Sequence, residues 1–99
     1  MEQPNLNYID EIADGDIEFK DELIQTLINE FEQENKKIRS LIKNKNYLEA
    51  SQLVHKIKHK ISLLNMENSD YIAKEFENNL KQEKEELNLE FTSILDNIV

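Results

Sequence analysis

Apolar residues recur along this chain at spacings of three and four, the period of helices that bury one face. A short first group predicts an opening helix that ends at Asp14-Gly15, and it consists of Leu6, Tyr8, Ile9 and Ile12. Asp16 is then a good N-cap for a long second helix. The stripe of that helix consists of Leu23, Ile24, Leu27, Ile28, Phe31, Ile38, Leu41 and Ile42.

The third helix has the clearest pattern in the chain. Asn44-Lys45-Asn46 forms the turn before it, and Asn46 can cap it. Its buried seam follows a 3-4-3-4-3 spacing through Tyr47, Ala50, Val54, Ile57, Ile61 and Leu64. The neighbouring row consists of Leu48, Ser51, His55, Lys58 and Ser62, joined by His59 four residues after His55. Asn65 can end this helix in a left-handed conformation.

Two further helices complete the pattern. The fourth is predicted over residues 67–82, with an inward face of Tyr71, Ile72, Phe76 and Leu80. The fifth is predicted over residues 83–99, with an inward face of Leu87, Phe91, Ile94, Leu95 and Ile98. Four long amphipathic helices with short connections predict an all-α fold, an antiparallel four-helix bundle with a short extra N-terminal helix. Residues 1–99 are expected to form a single domain.

Composition agrees with this fold and narrows the chemistry. The 99 residues include one glycine, one proline and no cysteine, which excludes disulfides, thiol catalysis and any glycine-rich nucleotide-binding loop. The sequence has neither an apolar run long enough to cross a bilayer nor the start of a secretory signal, so we expect a cytoplasmic protein without membrane association.

Charge is distributed unevenly around the histidine helix. The chain has a net charge of −9, yet residues 36–60 contain eight Lys and Arg residues against a single acid. Overall acidity argues against nucleic acid as a partner, because binding to its phosphate backbone needs a broad basic surface. A local basic region around one histidine suits a small anion or an acidic patch on another protein.

The candidate site lies in the string Val54-His55-Lys56-Ile57-Lys58-His59-Lys60-Ile61-Ser62-Leu63-Leu64. Neutral imidazole is a competent nucleophile toward phosphorus near physiological pH. Lys58 shares a helix face with His55, so its ammonium can approach the oxygens of an incoming phosphoryl group. Lys56 and Lys60 project elsewhere on the helix.

This string resembles the core of the histidine-containing phosphotransfer (HPt) domain. In that family the histidine is followed by an apolar residue, a lysine and a glycine, then by a small residue and a Leu-Gly pair. His55, Lys58, Ser62 and Leu64 match the pattern, and the likeness extends from about Leu6 to Leu80. The two family glycines are replaced by His59 and Asn65. Asn65 tolerates a left-handed cap, whereas His59 brings a second imidazole toward His55 because helical side chains lean toward the N-terminus.

The resemblance implies a carrier in a two-component phosphorelay rather than an enzyme, either as a freestanding protein or as a domain of a larger one. A monomer is expected, because four helices on one chain can cover their own apolar stripes. His55 would accept a phosphoryl group from the aspartate of a response-regulator receiver domain, in a pathway that begins with a hybrid histidine kinase. It would then pass the group to another receiver. Lys58 would stabilise the group, Ser62 would help orient the site, and His59 would modulate it. No cofactor is expected in this chain, since the Mg²⁺ belongs to the receiver.

Two alternatives remain open. The chain could be a degenerate docking module that binds receivers or kinases without carrying phosphate, with His59 obstructing the site. Alternatively, His55 and His59 have the i, i+4 spacing of a chelating pair for Zn²⁺. The lysines across residues 55–60 and the lack of a convincing third ligand disfavour this second alternative, so no metal site is predicted.

Overall fold

Five helices make up the regular structure of residues 2–98, the part of the chain that the computed structural model describes. They are α1 (Asn7–Ala13), α2 (Ile17–Lys43), α3 (Tyr47–Leu63), α4 (Glu67–Lys81) and α5 (Asn88–Ile98). No strand occurs among these residues, which confirms the prediction of an all-α protein. None of the helices within residues 2–98 combines the length and the apolar character that crossing a bilayer requires.

Most helix ends follow the predicted local chemistry. Asp14 and Gly15 have φ values of 49° and 85°, and Asn65 has a φ of 53°, so all three adopt the left-handed conformation. The Asp16 side chain accepts a hydrogen bond from the backbone N–H of Phe19 at 3.0 Å, as expected of an N-cap. Asn46 occupies the cap position of α3, but its side chain makes no capping hydrogen bond, so that part of the prediction is wrong.

α3 lies between two neighbouring helices, which its seam contacts at once. It packs against α2 on one side and α4 on the other, while α5 contacts both α2 and α4, and α1 packs on α2. Tyr47 is half-buried, and the rest of the seam lies in the core: Ala50, Val54, Ile57, Ile61 and Leu64. The site row of α3 therefore runs along the edge of its contact with α4.

Two sequence predictions for the C-terminal half are wrong. Tyr71 does not point inward: it is 64% exposed, and the small residues Ser69 and Ala73 are buried instead. The rotation of α4 about its own axis, set by its packing against α3 and α5, turns these small residues inward and Tyr71 outward. The last helix begins at Asn88 rather than at residue 83, because residues 82–87 form the reversal between α4 and α5. The Asn79 side chain holds this reversal by donating to the carbonyl of Glu86 at 2.9 Å.

The N-terminal segment folds back over the turn between α3 and α4. The backbone N–H of Asn5 donates to the carbonyl of Leu64 at 2.8 Å. The Glu2 carboxylate accepts from the backbone N–H groups of Asn68 and Ser69, at 3.0 and 2.8 Å. Desolvation opposes ionisation of Glu2, but these hydrogen bonds outweigh it and lower its pKa. A residue from the start of the chain thus caps α4, whose own N-cap residue, Met66, has no capping side chain.

Candidate functional site

His55 lies on α3 directly after a buried residue of the seam. Val54 and Ile57 on either side are fully buried, and they fix the helix face on which the imidazole stands. The His55 side chain is 54% exposed at the edge facing α4. Burial of the seam thus holds the ring against the surface of the protein while leaving part of it accessible to another molecule.

Glu77 of α4 anchors one side of the His55 ring. Its side chain is only 11% exposed, and its Oε1 lies 3.0 Å from His55 Nδ1. Its second oxygen, Oε2, lies 3.0 Å from Lys81 Nζ one turn later. Desolvation tends to raise the pKa of Glu77, but the hydrogen bonds and charges of Lys81 and His55 outweigh it and lower the pKa. The carboxylate is therefore ionised at neutral pH.

This contact decides which nitrogen of His55 can act as a nucleophile. An ionised carboxylate only accepts hydrogen bonds, so Nδ1 of His55 must carry a proton and donate it to Glu77. In the neutral ring the lone pair then lies on Nε2, the nitrogen on the opposite side from Nδ1. Glu77 orients the ring, fixes its tautomer and can offset positive charge that develops on it.

His59 approaches the free nitrogen of His55, as the lean of helical side chains predicts. The two Nε2 atoms are 3.2 Å apart. The ring centroids are 4.7 Å apart and the ring planes nearly perpendicular, at 89°. With a neutral His55 bonded to Glu77, His59 must donate its Nε2–H to the lone pair of His55. In this arrangement His59 occupies the position from which an electrophile would approach.

Lys58 and Ser62 form a second group, centred on Asp70 of α4. Lys58 Nζ lies 4.0 Å from Asp70 Oδ1, and Ser62 Oγ lies 2.9 Å from the same oxygen. Ser62 Oγ also lies 3.1 Å from the carbonyl oxygen of Lys58. The structure therefore brings together His55, His59 and Glu77, while Lys58 and Ser62 are engaged by Asp70 instead of contacting His55.

The remaining lysines of the string project away from His55, as predicted for Lys56 and Lys60. Lys60 Nζ lies between two carboxylates of α2, 2.6 Å from Glu30 and 2.7 Å from Glu34. Desolvation tends to lower the pKa of Lys60, but these carboxylates outweigh it and raise the pKa. Lys56 lines the same shallow groove between α2 and α3, together with His59 and Lys60.

Sequence reasoning missed Glu77 and Asp70, the two acids that α4 places beside the site. Glu77 follows Phe76 directly and is one of four buried polar side chains among residues 2–98. An acid four residues after Ala73 and three before Leu80 lies on the inward stripe of α4, and this position was the available signal. No group of three or more potential metal ligands occurs within the described residues.

The comparisons with known proteins leave the site to be interpreted from its own chemistry. The sequence matches no family model, no curated protein and no solved structure. What is established for this chain is therefore an all-helical fold that presents a histidine anchored by a carboxylate, with a second histidine against it.

Proposed function

We propose that the protein is a histidine phosphotransfer domain that carries a phosphoryl group on Nε2 of His55 between receiver domains. The observation that carries this proposal is the anchored ring: Glu77 holds Nδ1, which leaves the lone pair on Nε2 of a side chain that is 54% exposed. The partners would be response-regulator receivers in a phosphorelay that begins with a hybrid histidine kinase. A monomeric cytoplasmic carrier without enzymatic turnover fits this role.

The packing of the helices supports the proposal. The contacts from α2 to α3, α3 to α4, α4 to α5 and α5 back to α2 are those expected of an antiparallel four-helix bundle with α1 as a short addition. In such a bundle the middle of a helix is a rigid position for a reactive side chain. His55 lies near the middle of α3, away from the frayed ends.

The transfer step is a displacement at phosphorus. The lone pair on Nε2 attacks the phosphorus of a receiver's aspartyl phosphate, an N–P bond forms, and the P–O bond breaks with its electron pair leaving on the aspartate. The ring of His55 gains positive charge while Nδ1 keeps its proton, and the Glu77 carboxylate stabilises this charge. Mg²⁺ in the receiver neutralises the phosphoryl oxygens during the transfer.

Neighbouring side chains complete the site once His59 has rotated away from His55. The displaced His59 ring can donate a hydrogen bond to a phosphoryl oxygen, since it already reaches Nε2 of His55. Lys58 can exchange its 4.0 Å contact with Asp70 for the phosphoryl group. Ser62 keeps Asp70 in position, which makes it an orienting residue rather than a direct contact.

Intact mass after incubation with a phosphorylated receiver tests the proposal. One added phosphoryl group is expected on the wild type and none on His55→Gln, which keeps a polar side chain without an imidazole. Circular dichroism and urea unfolding of both proteins control for folding. Uptake by His55→Gln, or no uptake by the wild type from several competent receivers, would contradict the proposal.

A docking module without phosphate transfer is the second candidate, and one observation favours it. His59 Nε2 lies 3.2 Å from the very nitrogen that would attack phosphorus. His59→Gly restores the residue of the resembled family, and His59→Ala avoids the cost of about 1 kcal/mol that glycine imposes on a helix. Uptake that appears only in these variants would identify the wild type as a docking module. Uptake that is lost in them would make His59 part of the carrier.

A further inference from the structure

We propose that His55 and His59 form a two-ligand site for a borderline divalent transition metal, with Zn²⁺ as the expected ion, and that occupancy of this site masks the phosphoryl acceptor. Metal binding is independent of the proposed phosphotransfer function, and only the masking rests on it. The site reverses the expectation from sequence, which weighed the i, i+4 pair and disfavoured it.

The Nε2 atoms of the two imidazoles lie at nearly the separation of two ligands on one zinc ion. Zn²⁺ binds imidazole nitrogens at about 2.0–2.1 Å, so two nitrogens on one tetrahedral ion lie about 3.3–3.4 Å apart. The Nε2 atoms of His55 and His59 are 3.2 Å apart. A shift of a few tenths of an ångström would therefore suit the distance, and rotation of both rings would turn their lone pairs from the N–N line toward the ion. The proton between the rings would be replaced by the ion and would leave Nε2 of His59 for its Nδ1 or for solvent.

The Glu77 carboxylate, on the far side of the His55 ring, prepares that ring to bind a metal. A histidine that binds a metal through Nε2 commonly donates Nδ1–H to a carboxylate, which fixes the ring and makes its free nitrogen a better donor. Glu77 Oε1 lies 3.0 Å from Nδ1 of His55 and makes this contact in the metal-free protein. The tautomer that metal binding requires of His55 is thus already selected, whereas His59 must carry its proton on Nδ1 to bind the ion.

The lysines around the two rings, which disfavoured a metal site in the sequence, are mostly paired with acids in the structure. The structure places Lys60 between Glu30 and Glu34 on the α2 side, and Lys58 toward Asp70 on the α4 side. Lys81 is paired with the second oxygen of Glu77. The cations near the two rings thus have carboxylate partners, with the exception of Lys56, which lines the groove beside His59. Local repulsion of a divalent ion is therefore smaller than the sequence suggests.

The consequence for phosphotransfer is direct competition. The lone pair that would attack phosphorus is the same one that would bind the metal, so a metal-bound His55 cannot be phosphorylated. With two protein ligands, the ion keeps open positions for water or for a group from a partner protein. Mg²⁺, which the receiver needs, prefers oxygen ligands and is not expected to compete.

Calorimetric titration of the untagged protein with Zn²⁺ in a weakly coordinating buffer tests the site without any receiver. One ion per chain is expected, with binding weakened at least about tenfold in His55→Gln and in His59→Ala, and about tenfold in Glu77→Gln. Nitrogen chemical shifts of both imidazoles should move at Nε2. Mg²⁺ serves as the negative control. Zinc binding that is unchanged in either histidine variant would overturn the proposal.

The masking is tested by the effect of Zn²⁺ on phosphoryl uptake, with each protein compared with its own metal-free rate. Uptake should fall in the wild type and be much less sensitive in His59→Ala. Equal inhibition of both would place the effect of zinc on the receiver and overturn the masking. Histidine-dependent zinc binding without any uptake in metal-free protein would instead refute the proposed function and support the metal site.

Lys58→Gln separates the two roles by the sign of its effect. Removing a cation one turn from His55 should tighten zinc binding, by about two- to threefold at physiological salt, since the charge is partly screened. The same change should slow phosphoryl uptake, because the lysine is proposed to contact the phosphoryl oxygens. Weaker zinc binding in this variant would contradict the proposed location of the ion.

Discussion

The two long sides of α3 carry charged clusters that differ in how completely they are paired. On the α2 side, Lys60 contacts two carboxylates, Glu30 and Glu34, at 2.6 and 2.7 Å. On the α4 side, Glu77 contacts one nitrogen of His55, whose other nitrogen is left for a second, exchangeable partner. The first cluster connects helices, whereas the second holds in place the nitrogen atom that we propose as the phosphoryl acceptor.

The difference shows that one helix can carry a charged group that only links it to a neighbour and, on its other side, a group held in place for a candidate reaction. Both clusters place a group of α3 against an acid of the neighbouring helix, so contact with a carboxylate alone does not identify a site. In the α2-side cluster, two carboxylates pair with the ammonium group of Lys60. In the α4-side cluster, Glu77 fixes the His55 ring through Nδ1 and makes no bond to the lone pair on Nε2. This feature distinguishes a candidate site from an ion pair that only connects helices.

The largest contrast is expected from neutralising one acid in each cluster. Glu77→Gln should lower the rate of phosphoryl uptake about tenfold, equivalent to about 1.4 kcal/mol, because the charge that stabilises the His55 ring is lost. Glu34→Gln is the matched control and should leave the rate unchanged. The measurement is the initial rate of uptake from a phosphorylated receiver. Equal rates of uptake in the two variants would show that the clusters do not differ in function.

Removing the cation of the α2-side cluster should affect stability alone. Lys60→Met keeps the apolar stem but leaves Glu34, whose side chain is 15% exposed, with one ion-pair partner fewer. We expect a loss of about 1 kcal/mol in the free energy of unfolding, since partial exposure screens the pair. Urea unfolding gives this value, and phosphoryl uptake should not change. A changed rate of uptake would show that the two clusters are coupled.

The smallest effects are expected in the pH dependence of stability, one at acid pH and one at alkaline pH. Glu77 has a lowered pKa in the folded protein, so its contribution is present above the ordinary value of 4.5 and is lost as the pH falls through the lower folded pKa. Lys60 has a raised pKa, so its contribution is present below 10.5 and is lost as the pH rises through the higher folded pKa.

Urea unfolding of wild type and variants across pH checks both signs. The difference between wild type and Glu77→Gln should shrink toward the acid end, and that between wild type and Lys60→Met toward the alkaline end. Each difference isolates one group from the other residues that titrate in the same range. Differences that stay constant with pH would mean that neither charge contributes to stability through its ionisation.

Local patterns in the sequence predicted much of α3 but little of its surroundings. The seam, the exposure of His55 and the approach of His59 all follow from the period and lean of one helix, and the structure agrees with each. Glu77 lies 22 residues from His55 on another helix. Their contact depends on how far α4 slides and rotates on α3, and no local period encodes that quantity.

Tyr71 shows the same limit from the other direction. A large apolar residue at helical spacing was expected to face inward, yet α4, packed against both α3 and α5, buries the small Ser69 and Ala73 and leaves Tyr71 outside. Likewise, the helical pattern after residue 83 could not show that residues 82–87 are used to reverse the chain. Packing between helices decided both points.

Because Glu2 caps α4, the first turn of that helix reports whether the start of the chain is attached. The amide hydrogens of Asn68 and Ser69 are bonded to a side chain more than sixty residues earlier. Their exchange with solvent deuterium should therefore measure how often residues 2–6 detach. Because α4 also carries Asp70 and Glu77, each detachment loosens one end of the helix that holds His55 in register.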